Sequence, residues 1–211
     1  NHPQFKEIED YLPTQKAKAL DGTNLELKEH QKAALKALEA MRDNSETIAL
    51  LYHATGTGKT TTAVLDAKRC GGRVLFIAHT QELVDQATKR FRELWVNTTV
   101  GRYCDVVKQP RAHVVCGSVQ SVALHLEDFK DDDFDYLIVD EAHHAAADTY
   151  QKVLSYFKPS FTLGLTATPE RADDKSILDI FKNTAHKLDI QTAVEIGELV
   201  PVRCIRIHTN I

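Results

Sequence analysis

The chain has 211 residues, of which 43% are hydrophobic, and this is enough for one α/β domain with a single core but not comfortably for two. Its 26 Lys and Arg residues stand against 30 Asp and Glu residues, so the formal charge of -4 excludes a global basic field, and any binding of nucleic acid must be local. The four cysteines include no C-x-x-C pair, which argues against a zinc site and a disulfide framework and predicts a reducing, cytoplasmic setting.

The two ends of the sequence lead us to expect a piece of a longer protein. The chain starts at Asn1 without a signal-peptide pattern, its only methionine is Met41, and it has an open-ended finish at Ile211. Residues 1–24 are predicted to be an extension or linker, with a short helix near residues 5–12 that is broken at Pro13. No apolar run approaches the length of a membrane span, so we expect no membrane partner.

An amphipathic helix is predicted first, and short apolar runs then alternate with helical patterns. The helix covers residues 27–41, because Leu27, Ala34, Leu35, Leu38 and Met41 form one helical stripe. The apolar runs are rich in Val, Ile and Leu, which is typical of strands covered on both faces. They occupy residues 47–52, 73–78, 113–118, 136–140, 162–167 and 202–208, and the helical segments between them occupy 59–69, 81–94, 119–126, 145–157 and 175–181. The alternation predicts an α/β fold with a mostly parallel sheet, right-handed crossovers and helices on both faces.

The first predicted strand runs into a glycine-rich loop and then into a helix, with the sequence His53-Ala54-Thr55-Gly56-Thr57-Gly58-Lys59-Thr60. Its two glycines allow successive backbone N–H groups to converge on phosphate oxygens at a helix N-terminus. Lys59 is predicted to reach the β- and γ-phosphates, and the hydroxyl of Thr60 to ligate Mg²⁺. The usual pattern G-x-x-x-x-G-K-[ST] has a glycine where this chain has His53, but a side chain can be accommodated at the strand exit. The predicted ATP-binding residues are Thr55, Gly56, Thr57, Gly58, Lys59 and Thr60.

A pair of acids follows another predicted strand. The run 136–139 leads directly into Asp140-Glu141-Ala142-His143. The carboxyl ends of parallel strands meet at one edge of a sheet, so these acids are expected beside the glycine-rich loop. Asp140 is predicted to hold Mg²⁺ through water, and Glu141 to activate the water that attacks the γ-phosphate. An acid pair after a strand can also be a helix N-cap, but its combination with the loop favours hydrolysis.

These segments together resemble, over roughly residues 25–205, the first motor domain of superfamily 2 helicases and translocases, a RecA-like P-loop NTPase domain that we assign to residues 25–211. In that resemblance residues 140–143 are the DEAH form of the second motif, and Gln31 is the glutamine that recognises adenine. The segment 165–169 is similar to motif III, with Thr166 and Thr168 directed toward the DEAH residues, and His143 would couple the nucleotide site to a second RecA-like domain. No Q-x-x-R-x-x-R segment is present to supply the arginine finger of that second domain, and Arg171 is not one.

The resemblance also implies a track for nucleic acid. Residues 78–83 are similar to motif Ia and residues 117–121 to motif Ib, both of which contact the nucleic-acid backbone in this family. The implied contact residues are Thr80, Gln81, Ser118, Gln120 and Ser121. Hydroxyls, amides and helix N-termini can bind phosphates without a basic net charge. Alternatively, or at the same time, Thr80 and Ser118 cap the helices that follow them.

The sequence thus predicts the ATP-binding domain of an ATP-dependent DNA helicase or translocase, with ATP and Mg²⁺ as cofactors. DNA, as opposed to RNA, is implied by the similarity of segments 140–150, 163–173 and 193–202 to DNA-directed members such as restriction-enzyme motor subunits. A domain of this kind without a second RecA-like domain is expected to hydrolyse ATP weakly or not at all. Two alternatives are a P-loop ATPase that switches a protein partner without nucleic acid, and a scaffold domain that has lost turnover.

Overall fold

The computed structural model describes residues 26–167 and 179–201, and their backbone forms one eight-stranded sheet. The strands are β1 Ile48–His53, β2 Val74–Ala78, β3 Val100–Cys104, β4 Val107–Lys108, β5 Val114–Ser118, β6 Tyr136–Val139, β7 Phe161–Thr166 and β8 Thr184–Leu188. Their order across the sheet is β4-β3-β5-β2-β6-β7-β1-β8. Only the short β3–β4 pair is antiparallel, while the other neighbours run parallel, as the alternating pattern predicts.

Helices cover both faces of the sheet. They are α1 Glu29–Asp43, α2 Lys59–Cys70, α3 Gln81–Leu94, α4 Val119–Leu124, α5 Asp148–Tyr156 and α6 Ile190–Glu195. Helices α1, α2 and α3 pack on one face, where Leu38, Val64 and Phe91 join a core with alternate strand residues. Helices α4 and α5 pack on the other, around Val122 and Val153. Each central strand therefore buries both of its faces, which explains the continuous apolar runs.

Most of the predicted elements are confirmed, with shifts at their ends. The predicted helix 145–157 begins only at Asp148, because a turn of 3₁₀ helix, Ala142–His144, comes before it. The predicted helix 119–126 ends at Leu124. The proposed strand 202–208 and residues 1–25 lie outside the described residues, as does most of the predicted helix 175–181.

Three strands were not predicted, namely β3, β4 and β8. The strand β8 has the sequence Thr-Ala-His-Lys-Leu and is mostly exposed or half-buried, so it lacks an apolar run. It lies at the edge of the sheet beside β1. Edge strands need no continuous apolar pattern, because one side has no neighbouring strand.

A buried ion pair ties the helical layer to the sheet. The carboxylate of Asp66 on α2 is fully buried and accepts two hydrogen bonds from Arg42, at 2.7 and 2.9 Å. It also accepts one from the hydroxyl of Tyr136 at 2.6 Å. Burial and the neighbouring carboxylate raise the pKa of Tyr136 well above its usual value. A single carboxylate thus joins α1, α2 and β6.

Candidate functional site

The segment 53–60, which runs from the last residue of β1 to the second residue of α2, is called the glycine loop here. Gly56 and Gly58 have φ angles of 88° and 89°, in the left-handed region that favours glycine. A Cβ at Gly58 would also lie 2.6 Å from the side-chain nitrogen of Gln31, so the amide of Gln31 would have to shift. Gly58 is the N-cap of α2, whose first helical residue is Lys59. The free N–H groups of this helix end can face an anion.

The side chain of Lys59 folds back over the glycine loop. Its Nζ donates a hydrogen bond to the backbone oxygen of His53 at 2.9 Å. Burial lowers the pKa of Lys59, and the charges of Glu141 and Asp140 partly oppose this effect. A lysine held by a single carbonyl beside two carboxylates can exchange that bond for a phosphate oxygen.

The two acids lie at the same edge of the sheet as the glycine loop. The strand β6 that precedes them is separated from β1 only by β7. Asp140 is buried, and desolvation together with the charge of Glu141 raises its pKa to about 6. The backbone N–H of Glu141 donates to Asp140 Oδ1 at 3.0 Å. The carboxylates are therefore crowded in a partly dry site, where a cation would be stabilised.

The backbone of Glu141 is strained. Its φ of 49° and ψ of 51° are left-handed, a conformation that is uncommon for a residue with a side chain. His143, two residues on, places its Nδ1 3.1 Å from Glu141 Oε2. Glu141 therefore has an uncommon backbone conformation close to the end of a strand and beside the glycine loop. Such conformations often occur at functional residues.

An open cavity of about 460 Å³ lies between the glycine loop and the acids. Its floor includes Lys59, Thr60, Asp140 and Glu141. Its other wall is one side of α3, which sequence reasoning did not place in the site. The α3 residues that line it are Leu83, Gln86, Lys89, Arg90 and Glu93. The sequence hints at their position only because α3 begins after β2, at the edge of the sheet where the glycine loop lies.

A larger cavity of about 730 Å³ lies at the opposite edge of the sheet. Arg42, Cys70 and Asp135 line it, with Tyr136 and Phe161 at the amino ends of β6 and β7. Ligands of open α/β sheets bind at the carboxyl ends of the strands. The smaller cavity also holds the chemically suitable residues, so the candidate site is placed there.

Gln31 lies on α1 against the glycine loop. Its side chain is buried, and its Oε1 accepts a hydrogen bond from the backbone N–H of Lys28 at 3.1 Å. Its side-chain nitrogen occupies the position where a side chain at Gly58 would lie. The adjacent His30 bonds through Nε2 to the backbone oxygen of Thr57 at 2.9 Å. The start of α1 thus borders the glycine loop directly, as a base-recognition role for Gln31 would require.

The predicted nucleic-acid residues gather at the carboxyl ends of β2 and β5, which are neighbours in the sheet. Thr80 and Ser118 are both N-caps, and their hydroxyls accept from the N–H groups of Leu83 and Ser121. Thr80 and Ser118 therefore both cap the helices that follow them. The exposed hydroxyl of Thr80 can still accept a second hydrogen bond.

Hydrogen bonds connect the rest of this group. The amide of Gln81 donates to the carboxylate of Asp105 in the β3–β4 turn, and the backbone N–H of Asp105 donates to Ser121 Oγ at 3.3 Å. The amide of Gln120 donates to the backbone oxygen of His79 at 3.4 Å. Asp105 was not singled out from the sequence, since an isolated turn aspartate gives no signal.

Thr166 is the last residue of β7 and is fully buried between the glycine-loop strand and the acid strand. Thr168, the other residue expected to face the acids, lies outside the described residues. Within residues 26–167 and 179–201, no cluster of three or more His, Cys, Asp or Glu side chains could hold a metal ion. None of the helices described there is long and apolar enough to cross a membrane.

The sheet order, the glycine loop and the acids two strands away define the class of this protein. It is the first RecA-like domain of a superfamily 2 helicase-type motor, as the resemblance implied. The chain belongs to the family described as "Type III restriction enzyme, res subunit", whose model matches residues 24–171.

Relatives and solved structures agree with this family. The chain is 29% identical over 206 residues to a type I restriction enzyme EcoAI endonuclease subunit from Escherichia coli, covering 90% of this chain and 25% of that protein. It is 26% identical, with a TM-score of 0.62, to a fragment structure of a putative HsdR subunit of a type I restriction enzyme from Vibrio vulnificus, covering 80% of this chain and 31% of that one.

The fold is also that of the type ISP restriction-modification enzyme LlaGI, solved as a nuclease-deletion mutant in complex with a DNA substrate mimic. There the TM-score is 0.65 at 19% identity, and the likeness covers 82% of this chain and 21% of the other. The chain spans about a quarter of the EcoAI subunit and 16% of a putative ATP-dependent helicase of Saccharomyces cerevisiae that it matches.

Proposed function

We propose that the chain binds Mg·ATP in the cavity between the glycine loop and the acids, and hydrolyses it when a second RecA-like domain completes the site. The observation that carries this proposal is that a single cavity is lined by Lys59 and Thr60 together with Asp140 and Glu141. Phosphates would lie over the N-terminus of α2, where backbone N–H groups and Lys59 offset their charge.

Glu141 is the proposed base. Its side chain is one-quarter exposed, and its Oε2 lies 3.1 Å from His143 Nδ1. From that position it would accept a hydrogen bond from the attacking water and take its proton as the bond to the γ-phosphorus forms. The bond from that phosphorus to the β,γ-bridging oxygen would break in the same reaction, with ADP as the leaving group. His143 would orient the carboxylate, and Lys59 would stabilise the charge on the transferred phosphoryl group.

The residues present also fit Mg²⁺. Desolvation and the charge of Glu141 raise the pKa of Asp140 despite the nearby charge of Lys59, and a divalent cation would stabilise the charged form further. Mg²⁺ keeps several waters and needs only one or two protein oxygens, so Asp140 and the Thr60 hydroxyl suffice without a larger cluster. When bound, the ion would neutralise charge on the β- and γ-phosphates.

We further propose that the exposed residues Thr80, Gln81 and Gln120, with Ser118 and Ser121 beneath them, contact a nucleic-acid backbone. Similar chains include LlaGI, which was solved with a DNA substrate mimic, and this favours DNA. Such contacts position a strand without reading its sequence. A nucleotide switch for a protein partner is the competing function, and nucleic-acid dependence separates the two.

The test is ATP turnover by a protein that contains this chain together with a second RecA-like domain, measured with no nucleic acid, with DNA and with RNA. We expect DNA to raise the rate. A rate that responds to neither DNA nor RNA would contradict the motor function and favour the protein switch.

The Glu141→Gln variant tests the hydrolytic role in the same assay. The amide keeps the size of the side chain but cannot accept a proton, so turnover should fall at least about 100-fold while Mg·ATP affinity is retained. Glu39→Gln, at an exposed position of α1 that lies outside the proposed binding segments, is the control. Hydrolysis by Glu141→Gln at the unsubstituted rate would remove Glu141 from the mechanism.

A further inference from the structure

The turn between β3 and β4 lies at the sheet edge that carries the proposed nucleic-acid residues, because β3 runs parallel to its neighbour β5. Those residues, called the nucleic-acid track below, are Thr80, Gln81, Ser118, Gln120 and Ser121. The last residue of β3, Cys104, pairs with Val107 at the start of β4, so Asp105 and Val106 alone form the turn. Both are exposed, and Asp105 has a φ of 47°. Two-residue hairpin turns favour such positive φ angles, and Asp tolerates them better than most residues. A tight turn therefore holds a carboxylate beside the track.

Asp105 is hydrogen-bonded to both segments of the nucleic-acid track. Its carboxylate accepts a hydrogen bond from the side-chain amide of Gln81, the first residue of α3. Its backbone N–H donates to Ser121 Oγ at 3.3 Å, and that oxygen lies 2.9 Å from Ser118 Oγ. A single turn residue thus joins the helix that follows β2 to the helix that follows β5.

The carboxylate of Asp105 has the chemistry of the group that the track is proposed to bind. A carboxylate and a strand phosphate both present negatively charged oxygens, which accept charge-assisted hydrogen bonds from the same donors. The amide of Gln81 is such a donor, and one of its two N–H groups is given to Asp105. An ionised carboxylate has no hydrogen to donate to a phosphate, and it repels the phosphate charge. A strand and Asp105 would therefore compete for the Gln81 amide.

We propose that Asp105 is an internal competitor of the nucleic-acid strand: its carboxylate occupies the Gln81 amide in the free domain and must leave it before a strand phosphate binds there. The inference rests on the proposed function, because it requires a nucleic-acid backbone on the track. The contact lowers the affinity for the strand, since one hydrogen bond must be broken and a negative charge stays close to the phosphates. The bond is exposed to solvent, so its cost is small and a strand can overcome it.

The competition is tested by binding of labelled DNA to a protein that contains this chain and a second RecA-like domain, without ATP and at one fixed salt concentration. Asp105→Asn removes the charge, while asparagine tolerates the same left-handed backbone conformation and keeps the turn. The dissociation constant should fall roughly three- to tenfold. If Asp105 instead holds Gln81 in place for DNA, the constant should rise or stay the same, and the proposal is wrong.

Val106→Thr is the matched control. It changes the other exposed residue of the same turn and alters neither the charge nor the bond between Asp105 and Gln81. It should leave the dissociation constant unchanged, and thermal unfolding of both variants checks that the fold is retained. An equal fall in the constant with Val106→Thr would trace the gain to a disturbed turn and overturn the role of the carboxylate.

A double-mutant cycle tests the route through Gln81. In a Gln81→Ala background Asp105 has no amide to occupy, so Asp105→Asn should improve binding at most about twofold, through the loss of charge alone. The same gain in both backgrounds would mean plain charge repulsion, and it would overturn the competition for the amide.

The outcomes separate this inference from the proposed function. If the unsubstituted protein binds neither DNA nor RNA, or if the double variant Thr80→Ala and Gln120→Ala binds DNA equally well, the proposed nucleic-acid track is wrong. If that double variant binds DNA more weakly and Asp105→Asn does not bind it more tightly, only the role of Asp105 is overturned.

Discussion

Asp140 shows the conflict between function and stability at the scale of one residue. Its folded pKa of about 6 lies above the usual 3.8, so between these values the folded chain holds a proton that the unfolded chain has lost. Its charge therefore costs almost nothing below pH 4, lowers the free energy of unfolding increasingly between pH 4 and about 6, and has its full cost above that range.

The Asp140→Asn variant should accordingly be more stable than the unsubstituted chain in the absence of ATP and Mg²⁺. The gain should be roughly 2 to 3 kcal/mol at pH 7 and should vanish near pH 4. Urea unfolding at the two pH values measures it, and Asp132→Asn, at an exposed position, is the control. A loss of stability at pH 7 would show that Asp140 has a favourable partner in the folded chain.

Among the elements, the attachment of α1 and α2 to the sheet depends on Asp66. Replacing Asp66 by Ala leaves the Arg42 guanidinium half-buried without its carboxylate and the Tyr136 hydroxyl without its acceptor. We expect a loss of roughly 3 kcal/mol in the free energy of unfolding. Chemical denaturation checks this value, and Glu93→Ala, which breaks an exposed ion pair with Arg90, should cost at most about 0.5 kcal/mol.

The strand β7 allows a second test at this scale. A Cβ at Gly164 would lie 2.7 Å from the ring of Phe181, which is fully buried and cannot move aside. Gly164→Ala should therefore destabilise the chain by roughly 1 to 3 kcal/mol. Gly71→Ala, where nothing lies within 4 Å but φ is 76°, isolates the cost of backbone strain alone, about 1 kcal/mol. Thermal unfolding of the two variants separates crowding from strain.

The elements that could be predicted are those with a strong local signal. β1, β2, β5, β6 and β7 bury both faces and read as apolar runs, and the glycine loop has its own spacing. By contrast, β8 is exposed at the edge, and the contact of Asp66 with Arg42 joins residues 24 positions apart in two helices. The α3 wall of the cavity could not be predicted either, because it depends on how distant segments pack and has no local pattern.

For the molecule as a whole, the proposed function makes turnover depend on a second domain. An arginine finger contributes about 10³ to 10⁵ in rate in P-loop enzymes, and no Q-x-x-R-x-x-R segment is present in this chain. We expect the chain alone to hydrolyse ATP at least about 1,000-fold more slowly than a protein with both domains. The ratio of the two hydrolysis rates is measured from phosphate release by the two proteins at equal concentration. The Glu141→Gln variant of each protein gives the background rate to be subtracted. Equal rates would mean that the chain completes its own site.

The position of β7 between β1 and β6 has a consequence for the width of the site. Neighbouring strands lie about 4.8 Å apart, so two spacings set the glycine loop and the acids about 10 Å from each other at the sheet edge. That span follows from the hydrogen bonds between strand backbones and not from particular core side chains. If the cavity binds ATP as proposed, this separation leaves room for the terminal phosphate and a water molecule between the glycine loop and the acids.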